Sequence, residues 1–137
     1  MKYLLIILSL FLTFISWSKD VDYDNLVERD GLWYEKFSDV PFSGYSKGLH
    51  QGKINEGKRD GQWLIYYKSG QLEYKLNYKN GKQHGEQLFF YENGQVNIKG
   101  TYKDNKKEGD HIIYRSNGEL LAIFTYQDNE LINRIEY

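Results

Sequence analysis

From Gly61 to the C-terminus, apolar and polar residues alternate in short runs, and the runs recur as three aligned units. They read GQWLIYYKSGQLEYKLNYKNGKQH from Gly61, GEQLFFYENGQVNIKGTYKDNKKE from Gly85 and GDHIIYRSNGELLAIFTYQDNELI from Gly109. The period is 24 residues (85 − 61 and 109 − 85), inside the range that marks repeat architectures. Leu64, Leu88 and Ile112 share a column, as do Tyr66, Phe90 and Tyr114, and Tyr78, Tyr102 and Tyr126 close the units. Alternation with period two predicts strands that are half-buried, with successive side chains on opposite faces.

Ser69-Gly70, Asn93-Gly94 and Asn117-Gly118 interrupt each unit in the middle, between runs rich in aromatic and aliphatic residues. They predict a two-residue hairpin turn. A second turn follows each return strand, at Asn80-Gly81, Asp104-Asn105 and Asp128-Asn129; Asn tolerates the left-handed region better than most side chains and can stand where Gly stands in the first unit. Two turns per unit give an all-β chain: an elongated single-layer antiparallel meander of repeated β-hairpins.

The turn fixes the faces. A two-residue loop sets Tyr67 opposite Leu72, Ile65 opposite Tyr74 and Trp63 opposite Leu76, and the equivalent pairs in the next units include Tyr91 with Val96, Phe89 with Ile98, Ile113 with Ala122 and His111 with Phe124. This face is nearly all apolar and is expected to be the better buried. The other face pairs Tyr66 with Glu73, Leu64 with Lys75, Phe90 with Asn97, Leu88 with Lys99, Tyr114 with Leu121 and Ile112 with Ile123. Its aromatic row Tyr66, Phe90 and Tyr114, with Leu64 and Leu88, is the candidate partner-binding surface, because exposed apolar patches mark contact sites. Cross-strand packing along the meander is the alternative use of the same rings.

Upstream, Lys2 precedes an apolar run from Tyr3 to Trp17, and the composition turns polar at Lys19-Asp20. A basic start, a short apolar stretch and small residues at Ser16 and Ser18 predict a signal peptide over 1–18 and an exported protein, periplasmic, envelope-associated or secreted. Residues 19–30 read as a lead-in, and 31–137 as one repeat domain with atypical first units over 31–60. Units over 61–84, 85–108 and 109–132 follow, with a closing segment over 133–137. Val27 to Tyr34, turning at Asp30-Gly31, is a candidate first hairpin. Pro41 cannot donate to a ladder and marks an edge or a crossing.

Composition narrows the chemistry. The 137 residues hold no cysteine, which excludes a disulfide framework. A formal charge of -1 carries no electrostatic footprint for nucleic acid. His50, His84 and His111 fall in unrelated positions without metal-ligand spacing, no serine lies in a G-x-S-x-G elbow, and the glycines follow the repeat and do not open a helix. The expectation is a non-enzymatic chain without cofactor or metal.

Arg29-Asp30-Gly31-Leu32-Trp33-Tyr34, Pro41-Phe42-Ser43-Gly44 and the Tyr-Lys-x-Gly-Lys-x-x-Gly of Tyr78 to Gly85 resemble the bacterial variant of the MORN repeat, and the chain as a whole resembles the YwqK family of MORN-like proteins, often labelled antitoxins. The later units depart from the pattern, with Arg115 in place of the second tyrosine in the third, and Asn105 and Asn129 in place of glycine in the second and third. The resemblance implies a repeat scaffold that binds a protein partner or a second copy of itself, with neutralisation of a toxin as the alternative. Aromatic-glycine repeats are also similar to choline-binding repeats, which makes glycan or lipid contact at the membrane or cell wall a further alternative.

Overall fold

The computed structural model describes residues 19–137; the expected signal peptide over 1–18 lies outside the described residues. In chain order the strands are β1 (Lys19–Asp22), β2 (Leu26–Arg29), β3 (Leu32–Glu35), β4 (Gly44–Lys47), β5 (His50–Asn55), β6 (Lys58–Tyr66), β7 (Leu72–Lys79), β8 (Lys82–Gln83), β9 (Gly85–Phe90), β10 (Val96–Lys103), β11 (Lys106–Tyr114), β12 (Leu120–Gln127) and β13 (Glu130–Glu136). Eleven of them form one open sheet in the order β1-β4-β5-β6-β7-β9-β10-β11-β12-β13, with β8 extending the pairing of β7, and β2 and β3 form a separate two-stranded sheet. From β4 onward every pair in this sheet is antiparallel between neighbours in sequence, as the meander requires.

The N-terminal end differs. Residues 19–30, read as a lead-in, are ordered into β1, a single 3-10 turn over Tyr23–Asn25, and β2. β1 pairs parallel to β4, Lys19 against Gly44 through Asp22 against Lys47. A parallel pair needs a crossover, and the β2–β3 hairpin with the segment to Pro41 supplies it. Pro41 bridges Tyr34, Phe42 N–H donates to the Trp33 carbonyl and Trp33 N–H to the Gly57 carbonyl. This small hairpin lies over the apolar face of the first strands, where Leu26 and Phe42 join Ile54, Trp63, Ile65 and Leu76 in the core, flanked by Tyr23, Trp33, Tyr74, Tyr78 and Phe89. The better-buried face is thus the one the alternation marks.

The mid-unit turns are not the two-residue loops expected of Ser69-Gly70, Asn93-Gly94 and Asn117-Gly118. Gly70 N–H donates to the Tyr67 carbonyl and Tyr67 N–H to the Gln71 carbonyl, and the same two bonds recur at Tyr91/Gly94/Gln95 and Arg115/Gly118/Glu119. Only the glycines take positive φ, at 90°, 87° and 88°. The loop is therefore a three-residue turn ending in a left-handed glycine. The pairing next to it shifts accordingly: Tyr66 faces Leu72, Phe90 faces Val96 and Tyr114 faces Leu120, in place of Glu73, Asn97 and Leu121. One residue further on a bulge restores the expected register, so Ile65 faces Tyr74, Phe89 faces Ile98 and Ile113 faces Ala122. The extra loop residue and the bulge cancel, which keeps each face apolar or polar as the sequence alternates.

The inter-unit turns have the predicted form. Asn80-Gly81, Asp104-Asn105 and Asp128-Asn129 all take positive φ at both positions, as do Asp30-Gly31 and Glu56-Gly57. They stack: the N–H of Gly81, Asn105 and Asn129 donates to the carbonyl of Arg59, Gln83 and Lys107.

Between these turns Gly61, Gly85 and Gly109 also take positive φ; each stays paired with the following strand, opposite Tyr78, Tyr102 and Tyr126, while the ladder to the preceding strand is broken. A side chain two residues later fills the missing rung. Trp63 Nε1 donates to the Lys53 carbonyl at 3.0 Å, Gln87 Nε2 to the Asn77 carbonyl at 2.9 Å, and His111 Nε2 lies 3.1 Å from the Thr101 carbonyl. All three side chains are buried, so their polar atoms need these partners.

Candidate functional site

The five residues singled out as a binding surface share one face of the sheet, and all are half-buried. Leu64 and Leu88 belong to a row that runs across the whole array: Gln51, Leu64, Lys75, Leu88, Lys99, Ile112, Ile123 and Ile135 are successive cross-strand partners. From Leu64 to Lys99 leucine and lysine alternate, and the last three members are isoleucines. Lys99 is held at 3.0 Å by Glu86, whose hydrogen bond raises the lysine pKa.

Tyr66, Phe90 and Tyr114 form a second row beside the loops. Successive members are separated by a strand, and sheet geometry puts that distance near 10 Å, about twice the 4.8 Å strand spacing. The ring-to-ring contacts between described residues lie instead on the opposite face and at the N-terminal layer, in pairs such as Tyr74 with Phe89 at 5.2 Å and Tyr23 stacked on His50 at 4.1 Å.

Two shallow depressions open on the candidate face. One, of about 330 Å³, is bordered by Tyr45, Lys47, Gln51, Gln62 and Leu64, with Asp20 tied to Lys47 at 2.7 Å. The other, of about 230 Å³, lies between Lys99 and Tyr114 beside the loop glycine Gly118. The structure thus brings Leu64 and Leu88 into one row and sets Leu64 and Tyr114 at separate hollows. Lys75, Lys99 and the isoleucines 112, 123 and 135 belong to the same surface. The sequence pairs them within hairpins, but the contacts between units, Lys75 with Leu88 and Lys99 with Ile112, depend on the bulges after Gly85 and Gly109.

On the opposite face, the N-terminal layer covers only the first strands. Phe89, Ile98, Ile113 and Phe124 continue the apolar surface beyond it as half-buried residues, with the Arg134 guanidinium 5.3 Å from the Phe124 ring.

The aromatic residues a cation cage would use are already engaged. The Arg59 guanidinium sits 4.5 Å from the Trp63 ring centre, 5.0 Å from Trp33 and 5.4 Å from Tyr78, and donates to the hydroxyls of Tyr78 at 3.1 Å and Tyr23 at 3.4 Å. Burial raises the Tyr23 pKa despite this neighbour.

The histidines also have structural contacts. His111 sits edge-on between Tyr102 at 5.3 Å and Tyr126 at 5.0 Å, and burial pushes its pKa down. His50 stacks on Tyr23, with its pKa lowered by burial first and by Arg59 second. His84 lies 3.4 Å from Asp104 across two stacked turns. Among the described residues no group of three His, Cys, Asp or Glu side chains is placed to hold a metal ion, and no helix is long and apolar enough to cross a membrane.

Residues 59–80 and 83–104 match the family described as MORN repeat variant. Each match starts at a residue whose carbonyl receives a stacked turn, Arg59 or Gln83, and ends in the inter-unit turn, so the family's unit is the hairpin seen here, begun two residues before Gly61 or Gly85. No curated protein matches the chain. Two adjacent MORN-type hairpins thus lie at the centre of the sheet, and residues 107–128 repeat their backbone with diverged side chains.

Proposed function

We propose that the chain is an exported, non-enzymatic binding protein in which stacked MORN-type hairpins present one sheet face to a protein partner. On this reading the whole chain is a member of the YwqK family. The observation that carries it is the row of cross-strand partners from Leu64 to Ile135, apolar except at Lys75 and Lys99 and flanked by Tyr66, Phe90 and Tyr114, on the face opposite the N-terminal layer. Apolar anchors interspersed with charge suit a protein surface. Each histidine serves packing or a turn, which supports a role without acid-base chemistry.

The reading is tested with the chain as the cell produces it, used as bait in envelope extract beside Leu88→Glu and Tyr114→Ala variants. A stoichiometric partner retained by the native chain and lost from variants of unchanged melting temperature is expected. Recovery of the same partner by both variants, or of nothing specific by the native chain, overturns it.

A further inference from the structure

The two edges of the sheet are unlike each other. β1 is short, with Lys19, Asp20 and Asp22 exposed along it, which is how natural sheets blunt an edge. β13 is seven residues long and exposed throughout, and Leu131, Ile132, Ile135 and Tyr137 are among the most exposed large apolar residues of the chain. The cross-strand row also changes as it nears this edge: Lys75 and Lys99 interrupt it in the middle, while Ile112, Ile123 and Ile135 end it. A solvated edge favours lysine, whereas isoleucine suits a strand with a neighbour on each side.

We propose that β13 pairs antiparallel with β13 of a second copy of this chain, about a two-fold axis through Ile135, joining two sheets into one. Tyr137 N–H donates inward to the Leu121 carbonyl, so by alternation Ile135 and Asn133 also bond inward while Arg134 and Glu136 point their N–H and C=O outward. Outward residues must meet outward residues. Centring the pair on Ile135 sets Arg134 opposite Glu136 of the other copy, twice, and the two Ile135 side chains against each other as a close non-hydrogen-bonded pair. Centring on Arg134 opposes two arginines. Centring on Asn133 or Ile132 requires outward groups from Glu130, which bonds inward beside the Asp128-Asn129 turn to Gln127. Of these registers, backbone parity and charge favour the one centred on Ile135.

In that register the isoleucine row runs unbroken through the axis as Ile112, Ile123, Ile135 and their symmetry mates. Arg134 already pairs with Glu136 in its own strand, so the four charges form one cluster on the opposite face. The inference does not rest on the partner-binding reading: Ile135 ends the proposed binding row, but the pairing is made by the backbone edge of β13 and is read in the absence of any partner.

The chain contains no cysteine, so Ile135→Cys provides a single thiol at the axis, and mild oxidation is expected to give a covalent dimer where Glu130→Cys gives none. Sedimentation of the native chain is expected to show dimers, Arg134→Glu to give monomers, and the reciprocal Arg134→Glu/Glu136→Arg variant to restore the dimer. A native chain that stays monomeric at roughly 100 μM, one that forms open polymers, an Arg134→Glu chain that stays dimeric, or a reciprocal variant that does not recover would each overturn the proposal.

Discussion

The hydroxyl of Tyr67 donates to the backbone carbonyl of Phe90 at 2.8 Å, spanning from one hairpin to the next, and Tyr91 repeats the bond to the Tyr114 carbonyl at 2.8 Å. In the third unit Arg115 takes the tyrosine's place and reaches the Tyr137 carbonyl at 3.3 Å. The substitution that weakens the third unit as a copy of its neighbours therefore preserves the bond that ties unit to unit. Tyr67→Phe and Tyr91→Phe remove one hydrogen bond each and keep the ring, so each is expected to cost about 1 kcal/mol. The sites share no partner, and the double variant should lose the sum within about 0.5 kcal/mol. Urea unfolding of the three variants measures this.

Gly100 lies flush against His111: a Cβ on residue 100 would sit 2.3 Å from Nδ1 of the ring, and one on Gly52 2.4 Å from the Trp63 indole. The middle unit carries Leu76 at the equivalent position, beside the slimmer Gln87. The glycine is thus set by the ring that fills the missing rung. Gly100→Ala is expected to cost on the order of 1–3 kcal/mol through overpacking. Adding His111→Gln, which copies the middle unit, should return much of that loss. A double-mutant cycle showing simple additivity would refute the coupling.

Much of the fold can be read in the sequence because period-two alternation and turn chemistry act locally. Asn80-Gly81 and its counterparts dictate their turn through positive φ at both positions, and Trp63, Ile65 and Leu76 fall on the buried face by alternation alone. The loops at Gly70, Gly94 and Gly118 mislead because Ser-Gly or Asn-Gly suits a two-residue turn as well as the end of a three-residue one, and the choice depends on the bulge one residue away. The crossover of β1 could not be read either: Lys19–Asp22 has no apolar alternation, and its place is fixed by pairing with a strand more than twenty residues later. For the candidate surface, membership of Leu64, Leu88, Tyr66, Phe90 and Tyr114 in one face follows from the pattern, whereas the row through Lys75 and Lys99 requires the register between units.

His111 gives the last unit a dependence on pH. Its folded pKa lies below the unfolded value of about 6.5 because burial disfavours the imidazolium. The unfolded chain therefore binds the proton first, and stability is complete above about pH 6.5 and falls as pH drops toward the folded pKa, levelling beneath it. Tyr102 and Tyr126 face the ring, with Lys107 opposing and Asp110 favouring the charged form. His50 shifts in the same direction. His111→Gln is expected to reduce the loss in urea midpoint between pH 7.5 and pH 5, and a variant with the native pH slope would remove His111 as its source.

Arg59 joins the N-terminal layer to the sheet. It donates to Tyr23 in the crossover and to Tyr78 in β7, with Trp33 of β3 and Trp63 of β6 beside its guanidinium. A lysine keeps the charge but has a single ammonium in place of the planar fork, so it cannot serve both hydroxyls and both indoles in this geometry. Arg59→Lys is expected to cost about 2 kcal/mol, combining a hydrogen bond to a charged group with a partly desolvated cation-π contact. The loss should be local before it is global: the layer over 19–42 opens while β9 to β13 keep their pairing. Amide exchange in the variant is expected to rise at Trp33, Phe42 and Gly57, whose backbone bonds stitch that layer down, and to stay unchanged at Tyr91 and Gly94. Equal acceleration at both sets would mean that the guanidinium stabilises the whole sheet and not the seam between its two layers.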